Sequence, residues 1–190
     1  AGGNAALMAA GMGANVTVFD RNRDKLAAMR ALGANITGLY AFESAIHAAV
    51  TQADLLIGAV LIPGAKAPHL VSAETVREMQ NGSVIIDISV DQGGCIETAA
   101  PTTHAEPVFV VDGITHYCVT NMPGAVGRTS TFALCNVTLP WALRIAAEGI
   151  ETAARNQPPI AAAVNIHRGE ITNRAVADTF AMPYSNPFAD

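Results

Sequence analysis

No segment of this 190-residue sequence approaches the ~20 consecutive apolar residues that carry a helix across a bilayer; the stretch from Leu55 to Ile62 is far shorter. There is no excess of positive charge either. Eleven Lys and Arg stand against sixteen Asp and Glu, a formal net charge of −5, which argues against a general nucleic-acid surface. Cysteine is scarce: Cys95, Cys118 and Cys135 are odd in number and lack CxxC spacing. They suit a reduced cytoplasm better than a disulfide framework. The five histidines form no HxH or HxxxH pair, so no metal set is expected, and neither GxSxG nor a Walker A sequence occurs. Signal-peptide features and an initiator Met are also missing at Ala1.

What is present is apolar material, 51% of residues, with 14% charged and 5% aromatic. That composition excludes a disordered tail and provides for a packed core. The chain opens within an Ala/Gly-rich helix that stops at Gly11-Met12-Gly13. A helix of this kind normally follows a strand and a glycine turn, so the expectation is a fragment whose preceding strand is missing.

From there strands and helices alternate. Strands are expected at Asn15 to Asp20, Ile36 to Tyr40, Ala53 to Leu61 and Ser83 to Val90, with the last at Val108 to Val111 and His116 to Val119. Helices are expected from Asn22 to Leu32, Glu43 to Thr51, and Ser72 to Gln80, the last with Ser72 as N-cap and Glu74 in its first turn. Short apolar runs alternating with helices of this length predict an α/β fold, a Rossmann-type doubly wound parallel sheet. After Met122-Pro123-Gly124 the pattern turns to helix only. Ser130 to Ala147, interrupted by Pro140, is apolar on too many sides for a free surface. A boundary near Gly127 therefore separates residues 1–127 from a helical C-terminal segment, residues 128–190.

Four segments carry candidate chemistry. In a dinucleotide-binding unit, a glycine turn admits the pyrophosphate to a helix N-terminus, and an acid about 20 residues on accepts from the adenosine ribose. Gly2 and Asp20, eighteen residues apart, suit those places. They equally suit a helix packed on a sheet and a surface acid. A carboxylate at Asp20 favours NAD over NADP, whose 2′-phosphate it would repel; Arg21 and Arg23 weaken that preference without reversing it.

The second segment, Leu61 to Pro68, follows a predicted strand and is stiffened by Pro63, Gly64 and Pro68. Its Lys66 reads as an ordinary solvated lysine. In the third, Asp87 to Cys95, Asp87 sits in an apolar stretch and is expected to satisfy neighbouring donors. Asp91, just before Gly93 and Gly94, can handle protons or polarise an ammonium, or serve as a turn residue. In the fourth, His116 to Gly124, Asn121 offers a donor and an acceptor for a carboxamide or ribose. Met122 can lie against a ring or fill a core gap.

Four of these stretches, VLIPGAKAP (Val60 to Pro68), DISVDQGG (Asp87 to Gly94), PTTH (Pro101 to His104) and HYCVTNMPGAV (His116 to Val126), together resemble the bacterial alanine dehydrogenase family. The resemblance covers nearly the whole chain. It implies an NAD domain, here residues 1–127, beside a substrate domain to which residues 128–190 belong, assembled as a hexamer. The implied reaction interconverts L-alanine with pyruvate, ammonium and NADH. By the same resemblance Asp20 binds the adenosine ribose, Lys25 lies near that end, and Val60 and Leu61 flank the adenosine. Ile88, Ser89, Val90 and Asp91, with Val119, Thr120, Asn121 and Met122, line the nicotinamide side, and Asp91 is the catalytic carboxylate.

The family's substrate lysine and catalytic histidine lie in an N-terminal domain with no counterpart here. His69 stands where the family usually has lysine, a change of little consequence for chemistry. The nucleotide-binding part of a proton-translocating transhydrogenase is similar in the DxxxDxGG region, and a non-catalytic dinucleotide-binding module is a third possibility.

Overall fold

A computed structural model describes residues 1–62 and 68–188 of the chain. Two compact units emerge, residues 1–61 with 68–121, and residues 122–188.

The first unit alternates as α1 (Gly2–Gly11), β1 (Val16–Asp20), α2 (Arg23–Arg30), β2 (Ile36–Tyr40), α3 (Glu43–Val50), β3 (Leu55–Gly58), α4 (Ala73–Arg77) and β4 (Val84–Asp87), then β5 (Val108–Val111) and β6 (Ile114–Tyr117). Helix starts follow local capping chemistry. Asn22 Oδ1 accepts from the amides of Asp24 and Lys25 at the head of α2, and Ser72 Oγ accepts from Thr75 at the head of α4. Strand β1 pairs in parallel with β2, from Val16 beside Ile36 to Asp20 beside Tyr40. Strands β3, β4 and β6 are likewise parallel, and helix α1 packs against both β1 and β3. This is the Rossmann-type α/β arrangement the alternation predicts.

Strands β1 and β2 pair as a two-stranded sheet, and the four-stranded sheet, in the order β3-β4-β6-β5, departs from the expectation at its edge. Strand β5 runs antiparallel to β6, and β6 begins at Ile114, two residues before the expected start. The cause is the Asp112-Gly113 turn. Both residues have positive φ, 51° and 79°, the geometry of a tight two-residue hairpin.

Strand β4 is central, flanked by β3 and β6, and its Ile85 is fully buried. It packs with Val50, Val71, Val76, Met79, Ile96 and Ile114 in the main core. The carboxyl ends of β3, β4 and β6 therefore share one edge of a sheet whose interior is fixed by apolar packing.

The second unit contains α5 (Gly127–Glu148), α6 (Ile150–Asn156), α7 (Pro158–Ala163), β7 (Ile166–His167), β8 (Glu170–Ile171) and α8 (Arg174–Phe180). The hairpin β7–β8 overturns the expectation of helix alone. Its turn, Arg168-Gly169, again has positive φ at both positions, 49° and 86°. Glu151 of α6 pairs with His167 and Arg168 and so ties the hairpin down. A small core forms from Ala153, Ala154 and Ile160. Helix α5 continues through Pro140, which has no N–H to offer the Asn136 carbonyl, and it buries no residue.

Candidate functional site

The N-terminus of α1 lies beside the carboxyl end of β3. A Cβ built on Gly2 would stand 3.1 Å from Ala59 Cβ, so a side chain at position 2 would crowd the residue that follows the strand. The first backbone bond of the helix runs from the Ala5 amide to the Ala1 carbonyl, and among the described residues no side chain caps the amides of Gly2, Gly3 and Asn4. A helix start with free amides and a glycine at its closest approach is chemically suited to an anion.

Asp20 closes β1. Its Oδ1 accepts from the Asn22 amide at 2.8 Å, and Asn22 in turn caps α2, so the carboxylate is held at the strand end by a short relay. Among the described residues only Oδ1 is engaged, leaving Oδ2 available to a hydroxyl. Lys25, in the first turn of α2, is exposed.

Beyond β3, Val60 is half-buried and Leu61 is exposed. The Val60 amide donates to Ser89 Oγ at 3.2 Å, which brings the loops after β3 and β4 together. Pro63, Gly64, Ala65, Lys66 and Ala67 lie outside the described residues.

The loop after β4 is closed by hydrogen bonds to one buried side chain. Asp87 is fully buried, its Oδ1 accepting from the Ser89 amide at 2.8 Å and its Oδ2 from Cys95 at 2.8 Å and Ile96 at 3.2 Å. The sequence expectation that it satisfies neighbouring donors holds. Ile88 is half-buried, and Ser89 and Val90 are buried. Because Ser89 Oγ also donates toward Cys95 Sγ at 3.4 Å, its hydroxyl is committed within the protein. Asp91 sits on the 3₁₀ turn Val90–Gln92 and is exposed. The chain then returns through Gly93 and Gly94, with φ of 95° and 74°, a conformation that favours glycine.

After β6, Val119 is buried and bridges to Thr102, whose carbonyl accepts from the Thr120 amide at 3.1 Å. Asn121 is exposed with φ of 54°, the left-handed region that asparagine tolerates. His104 Nε2 lies 3.1 Å from the Asn121 carbonyl, a hydrogen bond in the tautomer protonated at that nitrogen. Met122 opens the second unit at the start of a 3₁₀ turn. His116 is a core residue: Nδ1 donates to the Ile114 carbonyl at 3.0 Å, which leaves Nε2 to accept from the Thr98 hydroxyl at 2.8 Å.

The structure thus gathers Val60, Ile88, Ser89, Val90, Asp91, Val119, Thr120 and Asn121 after the carboxyl ends of parallel strands, where ligands bind in open α/β sheets. Asp20 holds the same position on β1. Sequence reasoning missed Gly58 and the thiol of Cys95. A Cβ at Gly58 would come within 2.6 Å of Cys95 Sγ and 3.2 Å of Asp87 Oδ1. The available signal was a glycine ending an otherwise apolar strand. Burial pushes the thiols of both Cys95 and Cys118 above their ordinary range, the opposite of an activated nucleophile. Among the described residues no cluster of three or more His, Cys, Asp or Glu is arranged to hold a metal, and no helix is long and apolar enough to cross a membrane.

Residues 1–174 match the family described as "Alanine dehydrogenase/PNT, C-terminal domain". The chain is 49% identical over 185 residues to an alanine dehydrogenase of Halomonas elongata, covering 96% of this chain and 50% of that protein. It is 48% identical over 187 residues to an alanine dehydrogenase of Mycolicibacterium smegmatis, covering 98% of this chain and 50% of that one. It thus spans about half the length of the curated relatives it matches. A solved L-alanine dehydrogenase superposes with a TM-score of 0.81 at 45% identity, over 95% of this chain and 50% of the other. A transhydrogenase from Sinorhizobium meliloti shares the fold, with a TM-score of 0.71 at 23% identity over 92% of this chain and 47% of that one.

Proposed function

Because the chain belongs to the alanine dehydrogenase/PNT C-terminal domain family, we propose that it carries the NAD-binding part of an enzyme interconverting L-alanine with pyruvate and ammonium. The observation behind this reading is 49% identity to an alanine dehydrogenase over 96% of the chain, a span that takes in every strand end where a candidate residue stands. The transhydrogenase likeness is one of fold.

The residues fit a dinucleotide. The free amides at Gly2 and beyond suit the pyrophosphate, and the available oxygen of Asp20 suits the adenosine ribose, with Lys25 near that end. Val60 and Leu61 flank the adenosine. Ile88, Ser89, Val90, Asp91, Val119, Thr120, Asn121 and Met122 line the nicotinamide side. Ser89 contributes shape and backbone there, since its hydroxyl is engaged with Val60 and Cys95. When bound, NAD supplies hydride acceptance for alanine oxidation and hydride donation for the reverse. Asp91 is the exposed carboxylate of this set and is assigned the proton-handling role, stabilising ammonium and orienting water at the reacting carbon. Residues 1–127 form the NAD-binding domain, residues 128–190 belong to the substrate domain, and the complete enzyme is a cytoplasmic homo-oligomer, a hexamer by family resemblance.

The test is Asp91→Asn in the full-length protein that contains this chain. Turnover should fall by about 10²-fold or more, while NADH affinity stays within about threefold, a difference of less than ~1 kcal/mol. Near-normal turnover would return Asp91 to the role of a turn residue.

A further inference from the structure

Among the described residues no side-chain contact fixes Asp91, yet it stands on a loop gripped near both ends by one buried group. We infer that Asp87 is the positioning residue for Asp91, an inference that rests on the role proposed for Asp91 above. The carboxylate of Asp87 takes the Ser89 amide on Oδ1 and the Cys95 and Ile96 amides on Oδ2, at 2.8, 2.8 and 3.2 Å. It therefore closes the loop from residue 87 to residue 96 at its start and at its finish. Between those grips the backbone bonds are local: Gln92 and Gly94 donate to the Ser89 carbonyl and Gly93 to that of Val90. The loop is folded on itself, and Asp87 fixes that folded loop to the end of β4. Ser89 adds the tie to Val60.

Glycine backbone approaches this carboxylate from two sides, at Gly58 and at Gly94. A Cβ on Gly58 would approach Asp87 Oδ1 at 3.2 Å, and one on Gly94 would approach Oδ2 at 3.0 Å. No cation pairs with Asp87 among the described residues, and all three backbone partners are donors. A buried group facing only donors has to accept with both of its oxygens. Asparagine keeps the shape but replaces one acceptor with an NH₂. In one orientation that NH₂ faces the amides of Cys95 and Ile96, and in the other it faces the amide of Ser89. Either way one of the two side-chain grips is lost, that end of the loop is left to its backbone bonds alone, Ile88 to the Gly58 carbonyl or Leu70 and Val71 to the Cys95 carbonyl, and Asp91 is held less firmly.

The experiment uses the full-length protein with Asp87→Asn, Asp91→Asn and the double variant, all assayed for turnover and for NADH affinity by fluorescence titration. Asp87→Asn should lower turnover about 10- to 100-fold, the scale of a misplacement near 1 Å, with NADH affinity within about threefold. The double variant should turn over no more slowly than Asp91→Asn, because Asp87 acts through Asp91. A double variant slower by the full Asp87→Asn factor overturns the inference, since the two effects would then be independent. A slow Asp91→Asn with a normal Asp87→Asn sinks the inference alone. A normal Asp91→Asn sinks the role proposed for Asp91 and this inference with it.

Gly94→Ala keeps the carboxylate but crowds it and should give the same split between turnover and affinity. Amide exchange on the unsubstituted protein supplies a readout besides activity. The amides of Ser89, Cys95 and Ile96 should exchange as slowly as those within β4, and exchange at open-loop rates overturns the clamp.

Discussion

The amide of Val60 donates to Ser89 Oγ across 3.2 Å, and through this bond the loop after β3 is fastened to the loop after β4. Ser89→Ala removes the acceptor and leaves a half-buried N–H without its partner, at a cost of about 1–2 kcal/mol. Urea denaturation should show that loss. In the full-length protein NADH should bind about fivefold more weakly, the equivalent of about 1 kcal/mol, because residues assigned to the adenosine and nicotinamide sides lose their common anchor. Unchanged midpoint and affinity would show that the link carries neither stability nor binding.

Asp20 governs cofactor choice if its available oxygen meets the adenosine ribose. The full-length protein should strongly prefer NAD to NADP, and Asp20→Ser, with Arg21 and Arg23 in place, should narrow that preference by removing the repulsion toward a 2′-phosphate. Comparing kcat/KM for the two cofactors in both proteins decides the point. Equal efficiency with NAD and NADP before any substitution would show that Asp20 has another role.

Gly58 is required by close approach. A methyl group there would lie 2.6 Å from Cys95 Sγ, so Gly58→Ala should destabilise the fold by about 1–3 kcal/mol through overpacking. Cys95→Ala removes the sulfur but leaves the 3.2 Å approach to Asp87 Oδ1. The same Gly58→Ala change should therefore cost less, though not zero, in the Cys95→Ala background. Urea midpoints of the four proteins give the coupling directly, and strict additivity would place the strain elsewhere.

Helix α5 sets the behaviour of these 190 residues on their own. Phe132, Leu134, Val137, Leu139 and Leu143 are each 54–63% exposed, an apolar surface that favours self-association. The chain also spans about half the length of its alanine dehydrogenase relatives. Produced alone, it should sediment as a concentration-dependent mixture and show no turnover with NADH, pyruvate and ammonium. A monodisperse monomer, or turnover within about tenfold of the full-length protein (a barrier change of about 1.4 kcal/mol), would contradict this.

The alternation of α1 through β4 was legible because each strand is a short apolar run and two of the helices, α2 and α4, begin at a capping residue, Asn22 and Ser72. The order of the strands was legible as well, although they stop short of the expected ends, β3 at Gly58 rather than Leu61, β4 at Asp87 rather than Val90 and β6 at Tyr117 rather than Val119, which leaves Val60 in a loop. The direction of β5 was not, although Asp112-Gly113 is a strong hairpin signal; it was outweighed by the preceding run of βα alternation. The hairpin β7–β8 escaped for a different reason. Two strands of two residues each carry almost no periodicity, and only the Arg168-Gly169 turn marked them. Asp87 could be read as a group in need of donors, but which amides supply them depends on the return path through Gly93 and Gly94. That path is a tertiary fact. The proximity of Gly58 to Cys95 likewise joins residues far apart in sequence, and its one local trace was a glycine ending an apolar strand.

Burial raises the thiols of Cys95 and Cys118 above the ordinary value of 9.0, with the Asp87 carboxylate acting in the same direction on each. The folded chain thus holds these protons to higher pH than the unfolded chain does. Between the ordinary value and the raised ones the folded state binds more protons, so stability falls as pH rises through that window. Below about pH 8.5, the ordinary thiol range, these groups should contribute no pH dependence. Urea midpoints measured from neutral pH up to strongly alkaline pH should decline above about pH 9. Other groups titrate there too, so the decisive comparison is the slope rather than the midpoint. Cys95→Ala removes one buried thiol that must lose its proton, and its alkaline decline should be shallower even if its stability at neutral pH is lower. Parallel declines in the two proteins would mean that the Cys95 thiol titrates alike in the folded and unfolded states, and that its burial beside Asp87 has no energetic consequence.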